Sequence, residues 1–313
     1  MSKNNRGIVR LEHLSHYYGK KPAIRDISIS FNSKGIYGLL GSNGAGKSTT
    51  MNIMCGVLKP TSGQVFIQDI SLSQQPELAK QHLGFLPQRP PLYPELTVRE
   101  YLRYAAGLRQ IPAKSITRSV EEVIDQCMLS SHQYKTIGAL SGGYQQRVGI
   151  AQSIIHKPNI VVFDEPTNGL DPNQIESIRA LIQQIGELRT VILSTHILSE
   201  VEASCDHICM IEQGRLIFSG SIETFNNYLH PNSVYIHLGQ PPSTEVLEKL
   251  DFIESVDPID AYRFKLHFKG NPEAILDQLV SISVEKKWLL RELKLEKNSA
   301  EKIFAALSHS SQA

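Results

Sequence analysis

An α/β architecture, with a mostly parallel sheet covered by helices, is what the sequence predicts, and three patterns carry that expectation. Short apolar runs rich in β-branched residues recur between helical stretches, and several are apolar at every position, as strands buried on both faces of a sheet must be. From about Arg89 to His156 such runs stop and at least three helical ones follow, so a helical subdomain is inserted between sheet strands. Past a stretch broken by prolines and polar residues, short strands and helices resume in a pattern that predicts a small C-terminal α+β domain.

In chain order the strand-like runs are "IRDISISF", with Ile27, Ile29 and Phe31 alternating, then "IYGLL", "QVFIQ", "LGFLP", "NIVVFDE", "TVILST" and "HICMIEQ". The helical runs of the insertion are "TVREYLRYAAGLR", "SITRSVEEVIDQCML" and "YQQRVGIAQSII". Punctuation at "YLHPNSVYIHLGQPPSTE" puts a joint near Tyr228 to Ser233, which divides the chain into residues 1–230, with the helical subdomain at about 89–156, and residues 231–313. The second domain is expected to hold strands at "SVYIHL", "FIESV", "YRFKLHF" and "WLLRELKLE", with Tyr262, Phe264, Leu266 and Phe268 on one face, and helices at "TEVLEKL", "PEAILDQLV" and "SAEKIFAALS". It has no catalytic cluster and reads as structural or regulatory.

Composition narrows the function classes. The 313 residues carry 32 Lys and Arg against 31 Asp and Glu, a net charge of +1, so no bulk charge draws the chain to nucleic acid or an anionic membrane. The densest basic stretch, Lys286, Lys287, Arg291, Lys294 and Lys297, is interleaved with Glu285, Glu292 and Glu296, the pattern of a solvated face, and no nucleic-acid partner is expected. Cys55, Cys127, Cys205 and Cys209 lie in apolar surroundings without disulfide-like spacing, which fits a reducing compartment. The cluster Cys205-Asp-His-Ile-Cys209 runs into the strand-like "HICMIEQGRLIF" and reads as strand, not as a zinc site. No run approaches the roughly eighteen apolar residues of a membrane span, so the chain is expected inside the cell, reaching a membrane only through a partner.

The chemistry begins at "GSNGAGKST", Gly41 to Thr49, which follows "IYGLL" and opens a helix, satisfying Gly-x-x-x-x-Gly-Lys-Ser in the setting a phosphate loop needs. Gly41, Gly44 and Gly46 let the backbone reach positive φ and turn the N–H groups of the Ser42, Asn43 and Ala45 stretch toward phosphate oxygens at the positive end of a helix. Lys47 adds a mobile charge for the β- and γ-phosphates, and the Ser48 hydroxyl, beside Thr49, fits a Mg²⁺ position. "NIVVFDEP" reads as a buried strand ending in two carboxylates. Asp164 is then at the strand's carboxyl end, where ligands of open α/β sheets bind, and can hold Mg²⁺ through water. Glu165, pointing the other way, suits the role of a general base on the attacking water, although an apolar strand ending in such a pair is also common as plain structure.

His196 ends "TVILSTH" and is aimed at the same sheet edge, where it reads either as a γ-phosphate contact or as a strand-end cap. Gln88, closing "LGFLPQ", offers a neutral oxygen for Mg²⁺ or the water where the sheet hands over to the helical subdomain. The Tyr17-Tyr18-Gly19 turn supplies a ring that either stacks on adenine or packs on the sheet, and the residues alone leave both open. In "LSGGYQQRV", Ser141, Gly142 and Gly143 precede a helix whose apolar face reads as Tyr144, Val148, Ala151 and Ile155, presenting a hydroxyl and free N–H groups at a positive helix end. That predicts a second phosphate contact.

Over residues 1 to about 228 the ordered set resembles the ATP-binding subunit of an ABC transporter: "GSNGAGKST" is similar to its Walker A, "IVVFDE" to its Walker B, Gln88 to its Q-loop glutamine, "LSGGYQQRV" to its signature, "GLDP" at Gly169 to Pro172 to its D-loop, and "STH" to its switch histidine. The resemblance implies a P-loop NTPase fold of ABC type with an antiparallel β subdomain. It also implies Tyr18 on the adenine, Asp171 at a dimer interface, and Ser141, Gly142 and Gly143 acting on the nucleotide of a second subunit. One position departs from the pattern: Tyr144 stands where many members carry glutamine, so a glutamine contact to nucleotide is not carried over. The tail, "NSAEKIFAALS" included, resembles that of drug-resistance and gliding-type exporter ATPases.

What the resemblance implies is an ATPase that takes ATP and Mg²⁺, pairs as a homodimer or with another ATPase subunit, and powers a separately encoded integral membrane permease of exporter type. Its catalytic set would be Glu165, His196, Gln88 and Lys47, with Ser48, Gln88 and Asp164 at the metal, and its place the cytoplasmic face of the membrane. The alternative is a soluble ABC-type ATPase acting on ribosomes or nucleic acid without a permease. That group commonly has tandem ATPase domains or zinc-bearing insertions, against one P-loop and one signature here. A regulatory module with an incidental ATPase is the third reading.

Overall fold

The computed structural model of the protein describes residues 8–228, 232–296, 303, 304 and 307. It divides into two compact units, Met1–Ile222 and Glu223–Ala313, so the division precedes the joint expected after residue 230.

The first unit begins with β1 (Val9–Tyr18), β2 (Lys21–Phe31), β3 (Gly35–Leu40), α1 (Lys47–Met54), β4 (Ser62–Ile67), β5 (Ile70–Ser71), α2 (Pro76–Gln81) and β6 (Leu83–Leu86). Helices α3 (Val98–Leu108), α4 (Ala113–Gln126) and α5 (Gly142–Ile154) follow, with 3-10 turns at Ser130–His132 and Ile137–Ala139. The chain then returns through β7 (Ile160–Asp164), α6 (Pro172–Leu188), β8 (Thr190–Thr195), α7 (Leu198–Ser204), β9 (His207–Glu212) and β10 (Arg215–Ser221), and α8 (Ile222–Asn226) spans the division.

Two sheets result. The central one has the order β10-β9-β3-β8-β7-β6, parallel except for β10. Its middle strands β7 and β8 are buried at every position, with apolar runs at 160–163 and 191–193 and buried polar groups at their ends. The second sheet, β2-β1-β4-β5, is antiparallel. Strand β1 escapes the sequence pattern because its inward residues are Val9, Leu11, Leu14 and His16, so the alternation slips between Leu11 and Leu14. The slip is a bulge: His13 sits at φ 51°, facing Asp26 at φ 51° on β2, and their side chains meet at 2.7 Å. "HICMIEQGRLIF", read as one strand, is instead a hairpin. Gln213 and Gly214, both at positive φ, turn β9 into β10.

Helix α3 begins on a capping box, Thr97 accepting from the Glu100 N–H while the Glu100 carboxylate accepts from the Thr97 N–H. Helix α5 differs from the single apolar face expected of it. Arg147, Val148, Gly149, Ile150, Ala151, Ser153 and Ile154 are all buried, because the helix runs through the middle of its subdomain, with Arg147 bonding the Cys127 carbonyl at 2.8 Å.

The second unit runs β11 (Ser233–Leu238), α9 (Thr244–Glu248), β12 (Ile253–Pro258), β13 (Arg263–Phe268), α10 (Pro272–Glu285) and β14 (Leu290–Glu296). The strand order β12-β13-β11-β14, antiparallel throughout, makes it a split β-α-β-β-α-β unit. Val234, Ile236, Phe264, Leu266 and Phe268 face Leu247, Ile275, Leu279 and Trp288 in its core. Tyr262 does not join the Phe264 row. It is 53% exposed, in the turn before β13. The closing run "SAEKIFAALS" lies outside the described residues except for Ile303, Phe304 and Leu307.

Leu266 is fully buried at the centre of this core. Leu266→Ala is expected to destabilise the second unit by about 2–5 kcal/mol, which hydrogen exchange would register as lost protection across β11 to β14 with the first unit unchanged.

Candidate functional site

The site is built where β3 ends and α1 begins. Gly46, at φ 111°, is the N-cap of α1 and offers no side-chain cap, so the first N–H groups of the helix point into the cavity unblocked. The loop is tightly supported from below. A Cβ on Gly41 would lie 2.1 Å from the Ile211 carbonyl oxygen, and one on Gly46 would lie 2.7 Å from Ile24 Cγ2 and 2.8 Å from the Ala23 carbonyl oxygen. Ser42 is tied outward, its Oγ donating to Glu212 Oε1 at 2.7 Å and its N–H to Oε2 at 3.2 Å. The Gly214 N–H donates to the Ala45 carbonyl at 2.9 Å, so the β9–β10 turn props the loop.

Lys47 is buried, and its Nζ donates to the Gly41 and Ser42 carbonyls at 2.9 and 3.1 Å. Burial pulls its ammonium below the usual lysine range, and Glu165, Asp164 and Glu212 oppose that shift. Glu165 is the nearest of them, 3.9 Å away. The Ser48 hydroxyl donates to Asp164 Oδ1 at 3.2 Å. These groups open on a cavity of about 420 Å³ whose lining also includes Tyr18, Asn43, Gly44, Thr49, Gln88 and Glu165. Gly41, Ser42 and Ala45 are not among its lining residues, and Gly41, expected at positive φ with Gly44 and Gly46, is not there: its glycine is required by the close approach of Ile211. Tyr18, 56% exposed, leans edge-on against His16 with ring centroids 4.7 Å apart.

Parallel pairing of β7 with β8 puts Asp164 opposite Ser194. Ser194 Oγ donates to Asp164 Oδ1 at 2.5 Å and accepts the Glu165 N–H at 2.9 Å, which steers the two adjacent carboxylates to different sides. Glu165 itself sits at φ 50°, a left-handed conformation rare outside glycine. Its carboxylate meets His196 Nδ1 at 2.8 and 3.1 Å. The imidazole is 39% exposed and the carboxylate is buried, and of the two only Glu165 lines the cavity.

Two predicted groups lie elsewhere. Ser141 is the N-cap of α5 and makes no side-chain cap bond. Gly142 is exposed, and Gly143 packs on α6, where a Cβ would lie 2.9 Å from the Gln174 side chain. Asp171 caps α6, accepting from the Gln174 N–H at 2.9 Å. None of the four lines the phosphate cavity. Tyr144, expected on the buried apolar face of α5, is only half-buried, and its ring lies against His132 with centroids 4.0 Å apart and planes tilted by 30°.

Residues 24–168 match the family described as "ABC transporter". The bacitracin transport ATP-binding protein BcrA of Bacillus licheniformis is 36% identical over 212 residues, 67% of this chain and 68% of that protein. The chain belongs to the ATP-binding proteins of ABC transporters. This ABC ATPase is also 30% identical over 280 residues to the uncharacterized ABC transporter ATP-binding protein YhcH of Bacillus subtilis, a match covering 88% of this chain and 90% of that one. Among solved structures it is similar to CbiO1 from Clostridium perfringens, part of the transporter complex CbiONQ, with TM-score 0.64 and 28% identity over 71% of this chain and 92% of that one.

Two supports of the ABC ATPase site lie outside the motifs: Ser194 and Glu212. Ser194 leaves a local signal, because a hydroxyl at a fully buried strand position needs a partner. Gly46→Ala would force a side chain into a left-handed backbone already in contact with Ile24 and Ala23, a strain of roughly 1–3 kcal/mol. ATP affinity measured by calorimetry is expected to fall about ten- to a hundredfold.

Proposed function

We propose that this ABC ATPase hydrolyses ATP as a sandwich dimer and thereby drives a separately encoded membrane permease in the export direction, from the cytoplasmic face. The observation that carries the hydrolytic part is the convergence of Lys47, Ser48, Gln88 and Glu165 on one cavity, with His196 seated on the Glu165 carboxylate. Lys47 exchanges its loop carbonyls for β- and γ-phosphate oxygens, and the uncapped start of α1 adds backbone donors. Glu165 takes a proton from water as the water oxygen bonds to the γ-phosphorus and the bond to the β-phosphate oxygen breaks. His196 holds the γ-phosphate and keeps the carboxylate turned toward it. Tyr18, exposed at the rim, stacks on the adenine.

Ser48 Oγ and Asp164 Oδ1 at 3.2 Å, with the Gln88 side chain on the cavity wall, make an oxygen donor set that fits Mg²⁺. When bound, that ion neutralises phosphate charge. Ser141 and Gly142, both exposed, begin α5 without a side-chain cap outside their own chain's cavity, with Gly143 buried behind them, which supports their acting on the nucleotide of a second subunit, with Asp171 beside the interface. Transport is supported by the name of BcrA, a bacitracin transport protein, and export by the likeness of the short tail, which we assign as an accessory domain over residues 231–313, to that of drug-resistance exporter ATPases.

Glu165→Gln is expected to bind ATP and lose turnover by at least about a hundredfold; turnover near wild type would remove Glu165 from the role. Ser141→Arg should leave ATP binding by the single chain intact and abolish cooperative hydrolysis in a phosphate-release assay. Copurification from detergent extracts with a polytopic membrane protein that stimulates hydrolysis tests the permease, and copurification with ribosomes alone would overturn it.

A further inference from the structure

Behind the Glu165–His196 pair, a second link joins the same two segments. Glu200 lies in the first turn of α7 and is 8% exposed. Its Oε1 accepts from Thr167 Oγ1 at 2.8 Å and its Oε2 from Thr195 Oγ1 at 2.7 Å. Thr167 is two residues beyond Glu165 on the segment leaving β7, and Thr195 immediately precedes His196 at the end of β8. One buried carboxylate therefore holds the backbone on both sides of the base and the histidine.

Helix capping does not account for this carboxylate. The N-cap of α7 is Ile197, without a side-chain cap, and both Glu200 oxygens are taken by threonine hydroxyls. The Ile197 N–H instead donates to Thr195 Oγ1 at 3.0 Å, so the threonine that bonds Glu200 also shapes the turn after His196. A buried carboxylate is tolerated only when hydrogen-bonded, and charge-assisted bonds of this kind are the stronger ones.

We propose that Glu200 is a positioning residue for hydrolysis, fixing the separation of Glu165 and His196 by tying Thr167 to Thr195. The proposal rests on the reading of Glu165 and His196 as the hydrolytic pair. Two features create the need. Glu165 occupies a left-handed backbone conformation, which persists only where the surroundings hold it, and the Ser194 bond to its N–H secures only the incoming side. The direct His196–Glu165 contact, moreover, rests on a single imidazole nitrogen, Nδ1, of a side chain that is 39% exposed. None of Thr167, Glu200 and Thr195 lines the cavity, and the bridge they form joins the two segments away from it.

The test compares Glu200→Leu, Glu200→Gln and Thr167→Val in the full chain, with wild type and Glu165→Gln as references. Glu200→Leu is expected to lower kcat by about ten- to a hundredfold, as misplacement of catalytic groups does, while KM for ATP stays within about twofold, since ground-state binding is untouched. Glu200→Gln, with an oxygen for one hydroxyl and an N–H for the other, should restore most of kcat. Wild-type kcat in Glu200→Leu beside an inactive Glu165→Gln overturns the positioning role alone. Wild-type turnover in Glu165→Gln overturns both that role and the hydrolytic reading. A loss in Glu200→Leu that tracks lowered ATP binding and is not recovered in Glu200→Gln also overturns the proposal, leaving Glu200 a stability residue. Should Glu200→Leu fail to fold, Thr167→Val decides: a several-fold drop in kcat at unchanged KM supports the bridge, and unchanged kcat overturns it.

Discussion

The Ser194 hydroxyl is the contact on which the rest of the site depends. Register between β7 and β8 places it opposite Asp164, where it donates to that carboxylate at 2.5 Å and accepts the N–H of Glu165 at 2.9 Å. Two adjacent carboxylates on a strand would repel if turned the same way. One hydroxyl that donates to the first side chain and accepts from the backbone of the second separates them, leaving Asp164 toward Ser48 and Glu165 toward Lys47 and His196. A one-residue slip of β8 would replace Ser194 with Leu193 or Thr195 and change the direction of both groups at once.

The two ends of the nucleotide site are built on different principles. The phosphate cradle is backbone, so it depends on glycines whose missing side chains leave room for Ile211, Ala23 and Ile24. The hydrolytic edge is side chain, and its geometry comes from strand ends and the hydroxyls that tie them. That division explains which parts can be read directly. A backbone cradle needs glycine at fixed spacing and is written locally in "GSNGAGKST", and the carboxylates and histidine stand at the ends of recognisable strands. Their supports come from positions 29 to 170 residues away and, Ser194 apart, leave no local pattern.

The fold was legible to the same degree and for related reasons. The apolar runs of β7 and β8 announce a buried parallel sheet, and helices α3 and α4 of the insertion keep their period. Strand β1 was not legible, because the bulge at His13 breaks the alternation that identifies a strand, and β10 merged with β9 because a two-residue turn is too short to interrupt an apolar run. Tyr144 belongs to a different class: its ring has a partner in His132, on a turn twelve residues earlier, and nothing in the signature stretch itself points to it.

The props under the phosphate loop bear on how the chain is made. Ile211, Glu212 and Gly214, which hold Gly41, Ser42 and Ala45, are separated from the loop by about 170 residues of sequence. Contacts of such separation close late, since a long intervening loop must be ordered first. A nascent chain that has emerged only as far as the Asp164–Glu165 strand already carries every residue of the loop and its Ala23 and Ile24 supports, yet lacks those from Ile211, Glu212 and Gly214. A ligand of the finished loop favours the assembled unit over partly folded forms.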